Sequence, residues 1–402
     1  MKPTISLPTF PKIVEDWWWA QAKQKWTEVG EEKLLNLIRQ EIVEQSDRFN
    51  KNRSFESSSY GKRDLSIISY GNFYFSRTWI ATLFGIAETI SRSLWSIPKN
   101  GPIRILDIGS GSGASGLACL SLLRNQGVTN PVELHAWDYS SKSLNYLKDL
   151  HRSCSDLWPN SRVHSQRLDL RYFPEEKVKQ KFDLILFGFS FNEITQDQEI
   201  EESTGWLEQS VQLLKRSGRM VITEPAESEI CRNLHTTTYN VVTGNKDLSL
   251  MAPYFNGLPC PMTLKNSKYF SHEVRTYKAL AHVEKINRLL HLEIREVKFG
   301  LSILGYEHPK VEDQGPNLFR LISPVKKRKG TISFMGMGSD GIEYLYEFQR
   351  RDLEKEMIND YLAMERGDIF RIIGSLSPNE NHRIRLLPSQ DIQPLFVPRL
   401  KN

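Results

Sequence analysis

The chain has 402 residues, of which 39% are hydrophobic and 25% charged, and its formal net charge is +5. These values predict a soluble globular protein of two or three domains, or of one large domain with extensions. No apolar run reaches the roughly 20 residues that a transmembrane helix needs. The N-terminus also lacks the pattern of a signal peptide, so we predict a cytoplasmic protein that does not bind membranes. The four cysteines lie far apart, which argues against a disulfide framework and a zinc finger, and we predict no metal site.

The first 95 residues are expected to form a helical region. Trp17–Trp19, Trp26 and Leu34 recur at helix-like intervals with Glu and Lys between them. We expect the tryptophans to pack against the main domain. The polar stretch Asn50–Lys62 predicts a loop, and a further helix is expected over roughly Ser76–Trp95.

Residues 96–310 are predicted to form one α/β domain. Short apolar runs alternate there with amphipathic helices, a pattern typical of a parallel sheet that carries helices on both faces. The strand candidates are Ile103–Ile108, Val132–Trp137, Arg162–Leu168, Phe182–Phe189 and Arg219–Thr223. Prolines interrupt the pattern over 246–275, which we interpret as an inserted loop. Val297–Leu304 is then expected to add a strand at the antiparallel edge of the sheet.

Residues 311–402 are predicted to form a small, basic, β-rich module. Phe319–Ile322, Thr331–Met335 and Gly341–Phe348 are strand candidates, followed by a helix from Leu353 to about Glu365 and a tail containing Pro and Asn. The Asp340-Gly341 pair indicates a hairpin turn. The block Lys326, Lys327, Arg328 and Lys329 gives the module its basic character. Blocks of this kind are more often solvated surface than binding sites.

A glycine loop directly follows the first strand of the α/β domain. Asp107, Gly109, Gly111 and Gly113 alternate there, and glycines permit positive φ and a close approach of ligand to backbone. The spacing differs from the dinucleotide fingerprint, and the loop lacks the Gly-Lys-Ser/Thr of a P-loop. An acid at this position would repel a phosphate, but it can accept from the ammonium group of S-adenosylmethionine (SAM). The loop resembles the first motif of class I SAM-dependent methyltransferases, which implies a Rossmann-like fold; the alternative is a glycine-rich turn without a ligand.

Further candidate site residues follow the next strands. At the end of the second strand, Asp138 is expected to accept both ribose hydroxyls of SAM, and Tyr139 or Trp137 is expected to line the adenine. Asp169, after the third strand, is a candidate acceptor for the adenine amino group; each acid could instead cap a helix. Asn192 and Glu193 follow the fourth strand and are the candidate catalytic residues that orient a substrate amine or hydroxyl. Glu193 could equally cap the next helix.

The chain also resembles a family of methyltransferase-like proteins of the mitochondrial and bacterial small ribosomal subunit. The resemblance runs from about Tyr74 to Phe370 and depends on the order of short motifs. These motifs are Asn192-Glu193, Glu224-Pro225, Ala252–Met262, Tyr269–His272, Val297–Leu304, Phe319-Arg320, Pro324–Gly330, Asp340-Gly341 and Arg366–Phe370. The resemblance implies a partner, the small ribosomal subunit or its rRNA. In this context we predict that Lys326–Lys329 contact the backbone of structured RNA, and we expect no DNA partner.

The same resemblance implies a cysteine-ligated iron–sulfur cluster in the insertion, and here the sequence departs from the family. Tyr254 and Lys268 stand where cysteines would be, and only Cys260 remains. One thiolate cannot hold a cluster that takes four ligands, so we predict none. The sequence thus favours a SAM-dependent enzyme that methylates rRNA or assists subunit assembly. Two alternatives stay open: an assembly factor that binds SAM without catalysis, and a small-molecule methyltransferase.

Overall fold

The computed structural model describes residues 2–50, 60–174, 180–255, 259–264, 269–306 and 315–401. A short strand and four helices come first in the described N-terminal part. They are β1 (Ile5–Leu7), α1 (Lys12–Lys25), α2 (Glu31–Asn50), α3 (Asp64–Phe73) and α4 (Phe75–Ser91). Most of the predicted loop Asn50–Lys62 lies outside the described residues. The helix expected over Ser76–Trp95 is confirmed but ends at Ser91, because Ser93 adopts a left-handed φ of 55°.

The central part alternates strands and helices. Its elements are β2 (Ile103–Ile108), α5 (Ala114–Asn125), β3 (Val132–Asp138), α6 (Ser141–Ser153), β4 (Ser161–Arg167), β5 (Phe182–Gly188), α7 (Phe191–Ile194), α8 (Ile200–Val211), β6 (Leu214–Pro225), α9 (Ser228–Gly244), β7 (Ser249–Ala252), α10 (Pro261–Leu264), β8 (Glu273–Thr276), α11 (Ala281–Leu289) and β9 (Glu296–Gly305). The five strand candidates are confirmed as β2 to β6.

The strand order identifies the fold. The central sheet runs β4-β3-β2-β5-β6-β9-β7, with β8 also paired to β9. Strands β2 to β6 are parallel, whereas β9 is antiparallel to β6. An antiparallel strand inserted between the last two strands of a parallel sheet is characteristic of class I SAM-dependent methyltransferases. The chain therefore has this Rossmann-like α/β fold, as predicted, and its crevice lies where the strand order reverses between β2 and β5.

Two predictions for this sheet were wrong. Val297–Leu304 forms β9 but not the edge, because β9 lies between β6 and the strands β7 and β8. The segment 246–275 is not only a loop, since it contributes both β7 and β8. Each of these short strands pairs with β9, which comes later in the chain. Their stability therefore depends on a distant partner that local sequence does not reveal.

The N-terminal helices are part of the main hydrophobic core. Trp18 is fully buried, and its ring stacks on Tyr146 of α6 with a centroid distance of 5.7 Å. Gly71 of α3 lies so close to Trp18 that a Cβ there would be 2.2 Å from the indole ring. The predicted packing of the tryptophans against the main domain is thus confirmed for Trp18. No helix within the described residues is both long and apolar enough to cross a bilayer.

A second sheet forms the C-terminal part. Its elements are β10 (Leu318–Leu321), β11 (Lys326–Lys327), β12 (Thr331–Gly338), β13 (Glu343–Gln349), α12 (Lys355–Leu362), β14 (Ile369–Ile372), β15 (Arg383–Leu386), β16 (Ile392–Phe396) and β17 (Pro398–Leu400). The strand order is β15-β13-β12-β10-β14-β16, with β11 on β12. The three predicted strands are confirmed as β10, β12 and β13. The region predicted as a tail forms further strands, and β17 pairs in parallel with β1.

A network of buried ion pairs joins this second sheet to the rest of the protein. Arg320 of β10 is 1% exposed and pairs with Glu88 of α4 and with Glu273 of β8. Each of these two glutamates has a further arginine partner. Among the described residues, the basic members of the network are Arg92, Arg275, Arg320 and Arg399, and the acidic members are Glu88, Glu273, Glu365 and Asp368. The network therefore connects α4, the central sheet and the C-terminal sheet.

Candidate functional site

The glycine loop connects β2 to α5 with a backbone that only glycine accepts readily. Gly109, Gly111 and Gly113 have φ values of +68°, +51° and +94°. A Cβ on Gly109 would lie 2.5 Å from Ser190 Cβ, and one on Gly113 would lie 2.2 Å from Leu147 Cδ1. The loop thus combines left-handed backbone with tight packing against neighbouring elements.

Asp107 is the last acid before this loop and is fully buried. Its Oδ2 accepts from Gly116 N at 2.8 Å, while its Oδ1 has no partner. Burial, together with the charge of Asp138, raises the pKa of Asp107 to about 7. The hydroxyls of Ser110 and Ser112 in the loop are also buried without a partner. Unpaired buried polar atoms are costly, so their presence indicates a site built for a ligand.

Asp138 lies at the end of β3 and holds the glycine loop. Its Oδ2 accepts from Gly111 N at 2.8 Å, and its Oδ1 accepts from Ser140 N at 2.8 Å. Burial raises the pKa of Asp138 to about 6. Each carboxylate oxygen has capacity for a second hydrogen bond, so these contacts leave room for ribose hydroxyls.

Tyr139 and Asp169 line one cavity, of 450 Å³, with the basic side chains Lys62, Arg167 and Arg171. The Tyr139 hydroxyl accepts from Gly61 N at 3.2 Å. Asp169 is tied to Arg171, whose Nε and Nη2 donate to its two oxygens at 3.0 and 2.6 Å. The structure thus places Tyr139 and Asp169 together, and the Asp169 carboxylate is engaged in an exposed ion pair rather than held free for an adenine amino group.

Asn192 and Glu193 lie on α7, where the buried Glu224 at the end of β6 fixes the backbone. Glu224 Oε1 accepts from Phe191 N at 2.8 Å and from Asn192 N at 3.2 Å. Its Oε2 accepts from Asn192 Nδ2. Because the amide nitrogen is occupied in this way, Asn192 keeps its side-chain oxygen as an acceptor. Glu224 entered the sequence analysis only as part of a motif, and no local signal identified it as a site residue.

Four carboxyl groups therefore surround the crevice without a compensating cation. Burial and the charges of Glu224 and Asp138 raise the pKa of Glu193 to about 8, and burial raises that of Glu224 to about 8. No basic side chain among the described residues pairs with Asp107, Asp138, Glu193 or Glu224. Elevated carboxyl pKa values in a crevice are a typical property of functional sites.

Tyr70 of α3 belongs to the same surroundings and was not predicted from sequence. Burial raises its pKa, with additional contributions from the charges of Glu193, Asp107 and Asp138. Its hydroxyl hydrogen-bonds with Thr78 Oγ1 at 3.0 Å. A residue of the N-terminal helices thus lies beside the crevice.

A second cavity of 490 Å³ lies next to α7, between α8 and α9. Asn192, Asp197, Glu224, Glu227 and Glu229 line it, and no Lys, Arg or His does so among the described residues. A cavity of this composition favours a ligand group that donates hydrogen bonds or carries positive charge.

The basic block lies outside these cavities, on the hairpin of β11 and β12. Lys326, Lys327, Arg328 and Lys329 are all exposed. Arg328 N donates to Thr331 O at 2.9 Å and closes the turn. None of the four side chains pairs with a carboxylate in the described part of the chain, so the block presents its full positive charge to solvent.

The insertion contains the two described positions that bear on an iron–sulfur cluster. Tyr254 is buried and its hydroxyl donates to Ser271 Oγ at 2.9 Å. Cys260 is buried and forms no disulfide. Lys268 lies outside the described residues. The expectation that no cluster is bound stays a prediction.

The residues at the crevice fit SAM. Asp107 Oδ1 and the hydroxyls of the loop have no partner and can hydrogen-bond to a ligand. The glycines allow the ligand to approach the backbone closely. Carboxyl groups without a described basic partner suit the positive charges of the sulfonium and ammonium groups. Asp107, Gly109, Gly111, Gly113 and Asp138 would hold the cofactor, with Tyr139 beside it.

Comparisons with known proteins give structural similarity at a low level only. A scan against protein-family models gives no match, and neither does a comparison with curated proteins. A SAM-dependent methyltransferase from Clostridium acetobutylicum is 14% identical, with 88% of this chain and 96% of that chain covered and a TM-score of 0.29. The CurJ carbon methyltransferase is 13% identical, with 71% and 70% covered and a TM-score of 0.34. TrmN from Thermus thermophilus is 13% identical, with 58% and 52% covered and a TM-score of 0.31. These scores are too low to support an argument, so the fold assignment rests on the strand order.

Proposed function

We propose that this chain is a SAM-dependent methyltransferase that acts on the small ribosomal subunit, most directly on its rRNA, in the cytoplasm. The observation that carries the enzymatic part is the crevice itself. A glycine loop with left-handed backbone, the unpartnered buried oxygen of Asp107 and further acids without a described basic partner lie together where the strand order reverses. This combination suits a cationic nucleotide cofactor and does not suit a phosphate.

The chemistry requires little from the protein beyond positioning. Bound SAM supplies a methyl group that is already electrophilic, so the main requirement is an in-line approach of the nucleophile. Asp107 and Asp138 would bind and orient the cofactor, and Tyr70 of α3 lies beside the crevice. The side-chain oxygen of Asn192 can accept a hydrogen bond from an N–H or O–H of the substrate that receives the methyl group. Glu193, with a pKa of about 8, holds or takes up a proton near neutral pH.

The 490 Å³ cavity next to α7 favours an amino group as the methyl-accepting nucleophile. Its lining provides carboxylates and the Asn192 oxygen but no described cation. An amino group, such as the exocyclic amine of a base, can donate to these acceptors, whereas a phosphate would be repelled. A flipped base would enter this cavity while the phosphate backbone stays outside.

Transfer of labelled methyl from SAM to isolated small subunits tests the proposal. We expect labelled rRNA with the wild-type chain and at least about a hundredfold less with Gly111→Arg, since that side chain would occupy the crevice. Gly30→Arg is the matched control, because nothing lies within 4 Å of a Cβ added there. Equal labelling by Gly111→Arg would refute the assigned site.

The basic block supports a nucleic-acid partner, and its replacement is expected to weaken RNA binding. Replacing Lys326, Lys327, Arg328 and Lys329 by alanine should reduce affinity for rRNA and flatten its dependence on salt. The slope should fall by about 0.7 to 0.9 logarithmic units for each phosphate that the protein no longer neutralises. The measurement is a filter-binding titration at several salt concentrations. Arg383→Ala and Arg385→Ala, on the edge strand β15 of the same sheet, serve as the control pair. If the dependence of RNA affinity on salt concentration is unchanged, the basic block does not contact RNA.

The acidic cavity also favours the small-molecule alternative. Its volume of 490 Å³ suits a drug-sized amine as well as a base. If wild-type chain methylates low-molecular-weight amines but no subunit, the ribosomal part of the proposal fails while SAM chemistry stands. If it binds both SAM and subunits without transfer, the non-catalytic assembly role applies.

A further inference from the structure

A cluster of potential metal ligands lies away from the crevice, at the junction of α1 and α11. Glu15, Asp16 and His282 each bring one ligand atom to within 4.8 Å of the others. Glu15 is only 3% exposed, although it carries a carboxylate. The sequence analysis predicted no metal site, and the proposed function does not account for this cluster.

The spacing between Glu15 and His282 is the first indication of a bound cation. Glu15 Oε2 and His282 Nδ1 are 3.5 Å apart, and both atoms are buried without a hydrogen-bond partner. A charged hydrogen bond between them would be shorter, about 2.8 Å. Two ligands of a tetrahedral zinc ion, each roughly 2.0 Å from the metal, lie about 3.3 Å apart. The observed separation thus fits a cation between the two atoms better than a direct bond.

Neighbouring groups hold both ligands in this orientation. Glu15 Oε1 accepts from His282 N at 2.9 Å and from Val283 N at 3.3 Å, which turns Oε2 towards the imidazole. The His282 ring stacks on Trp19, with centroids 4.9 Å apart and an interplanar angle of 23°. Fixed ring and carboxylate orientations of this kind support metal ligands in known sites.

Asp16 provides the third ligand from the solvent side. Its side chain is 46% exposed, and Lys12 Nζ donates to both of its oxygens at 2.5 and 2.6 Å. Lys12 is itself 71% exposed, and an exposed pair of this kind contributes little to stability because water screens the two charges. A divalent cation can therefore displace Lys12 from Asp16 at little cost.

We propose that Glu15, Asp16 and His282 bind one divalent transition-metal ion, with zinc favoured by the mixed nitrogen and oxygen donors, and that water completes the coordination. The ion would connect α1 to the N-terminus of α11. Because α11 leads into β9, the site fastens the N-terminal helices to the central sheet. This proposal is independent of SAM binding and of any RNA partner.

Metal titration of the full-length chain, stripped with chelator and freed of any polyhistidine tag, tests it. We expect one equivalent of Co²⁺ to give the visible absorption of a four-coordinate site, Zn²⁺ to displace it, and Zn²⁺ to raise the melting temperature. Asp16→Asn and His282→Asn should each weaken binding at least about tenfold. Lys12→Ala should strengthen it, because the competing ammonium is gone.

Asp16→Asn is expected to fold normally, since the substitution lies at the surface and leaves the Glu15 contacts to α11 in place. A loss of metal binding in this variant therefore reports on the ligand and not on folding. Glu32→Gln, an exposed acid on α2, is the matched control and should bind metal like wild type. Wild-type chain that shows neither absorption nor a thermal shift with stoichiometric metal would overturn the proposal. Equal affinity in Asp16→Asn, His282→Asn and wild type would do the same.

Discussion

Replacing Arg320 with methionine is expected to lower the free energy of unfolding by about 3–5 kcal/mol. Arg320 Nη1 donates to Glu273 Oε1 at 2.8 Å, and its Nη2 donates to Glu88. Both glutamates are at most 3% exposed, so removing the guanidinium leaves an excess negative charge in a dry interior. Chemical denaturation followed by tryptophan fluorescence measures the effect.

The surface pair of Arg383 with Glu347 provides the control for Arg320→Met. It lies in the same sheet with side chains 52% and 24% exposed, and Arg383→Met should cost about 1 kcal/mol or less. Burial works against the charge of Glu88, but Arg320 and Arg92 hold its pKa below the usual range. In Arg320→Met that carboxyl can take up a proton, so the stability deficit should shrink as the pH falls. Equal stability of the two variants would contradict the role of the network.

The affinity for SAM is expected to rise about tenfold between pH 6 and pH 8 as Asp107 ionises, and this contribution levels off above pH 8. The pKa of Asp107 in the free chain is raised to about 7, so its carboxyl group is largely protonated at pH 6. A cationic ligand binds best to the ionised carboxylates, so binding releases protons and is favoured as the pH rises. Calorimetric titration in buffers of different ionisation enthalpy measures both the affinity and the proton release.

S-adenosylhomocysteine separates the contribution of the sulfonium charge to this pH dependence from that of the ammonium group. It keeps the ammonium group but lacks the sulfonium charge, so its affinity should vary less with pH than that of SAM. Asp107→Asn should remove most of the dependence of SAM affinity on pH between pH 6 and pH 8. An affinity for SAM that is constant from pH 6 to pH 8 would contradict the assignment of Asp107 to the cofactor site.

Elements whose signals are local could be predicted from the sequence. The bounds of β2 were predicted as Ile103–Ile108, because an apolar run there lies between Pro102 and the glycine loop. The predicted strand Arg219–Thr223 was too short, since β6 begins at Leu214 and its register shifts along β5. The strand β1 escaped prediction, because three residues carry no measurable periodicity and the partner strand is at the other end of the chain.

Some residues of the candidate site could likewise be predicted from the sequence, and others could not. The glycine loop and Asp138 follow strands directly, so their positions could be predicted from the order of elements. Glu224 and Tyr70 could not, because each depends on packing between elements that are distant in sequence. Asp169 followed its strand as expected, but the adjacent Arg171 engages its carboxylate. Position at a strand end identifies candidates, whereas the partners of a side chain depend on the fold.

The pairing of β1 with β17 has a consequence for the order of synthesis. Ile5 and its partner Pro398 are 393 positions apart, so a long stretch of chain is synthesised between them. At roughly 5–20 residues per second, β1 waits about 20–80 s for the strand that completes it. Ile5 and Leu7 are both buried in the finished fold. The strand pairing of β1 can therefore form only after both the central sheet and most of the C-terminal sheet have been synthesised.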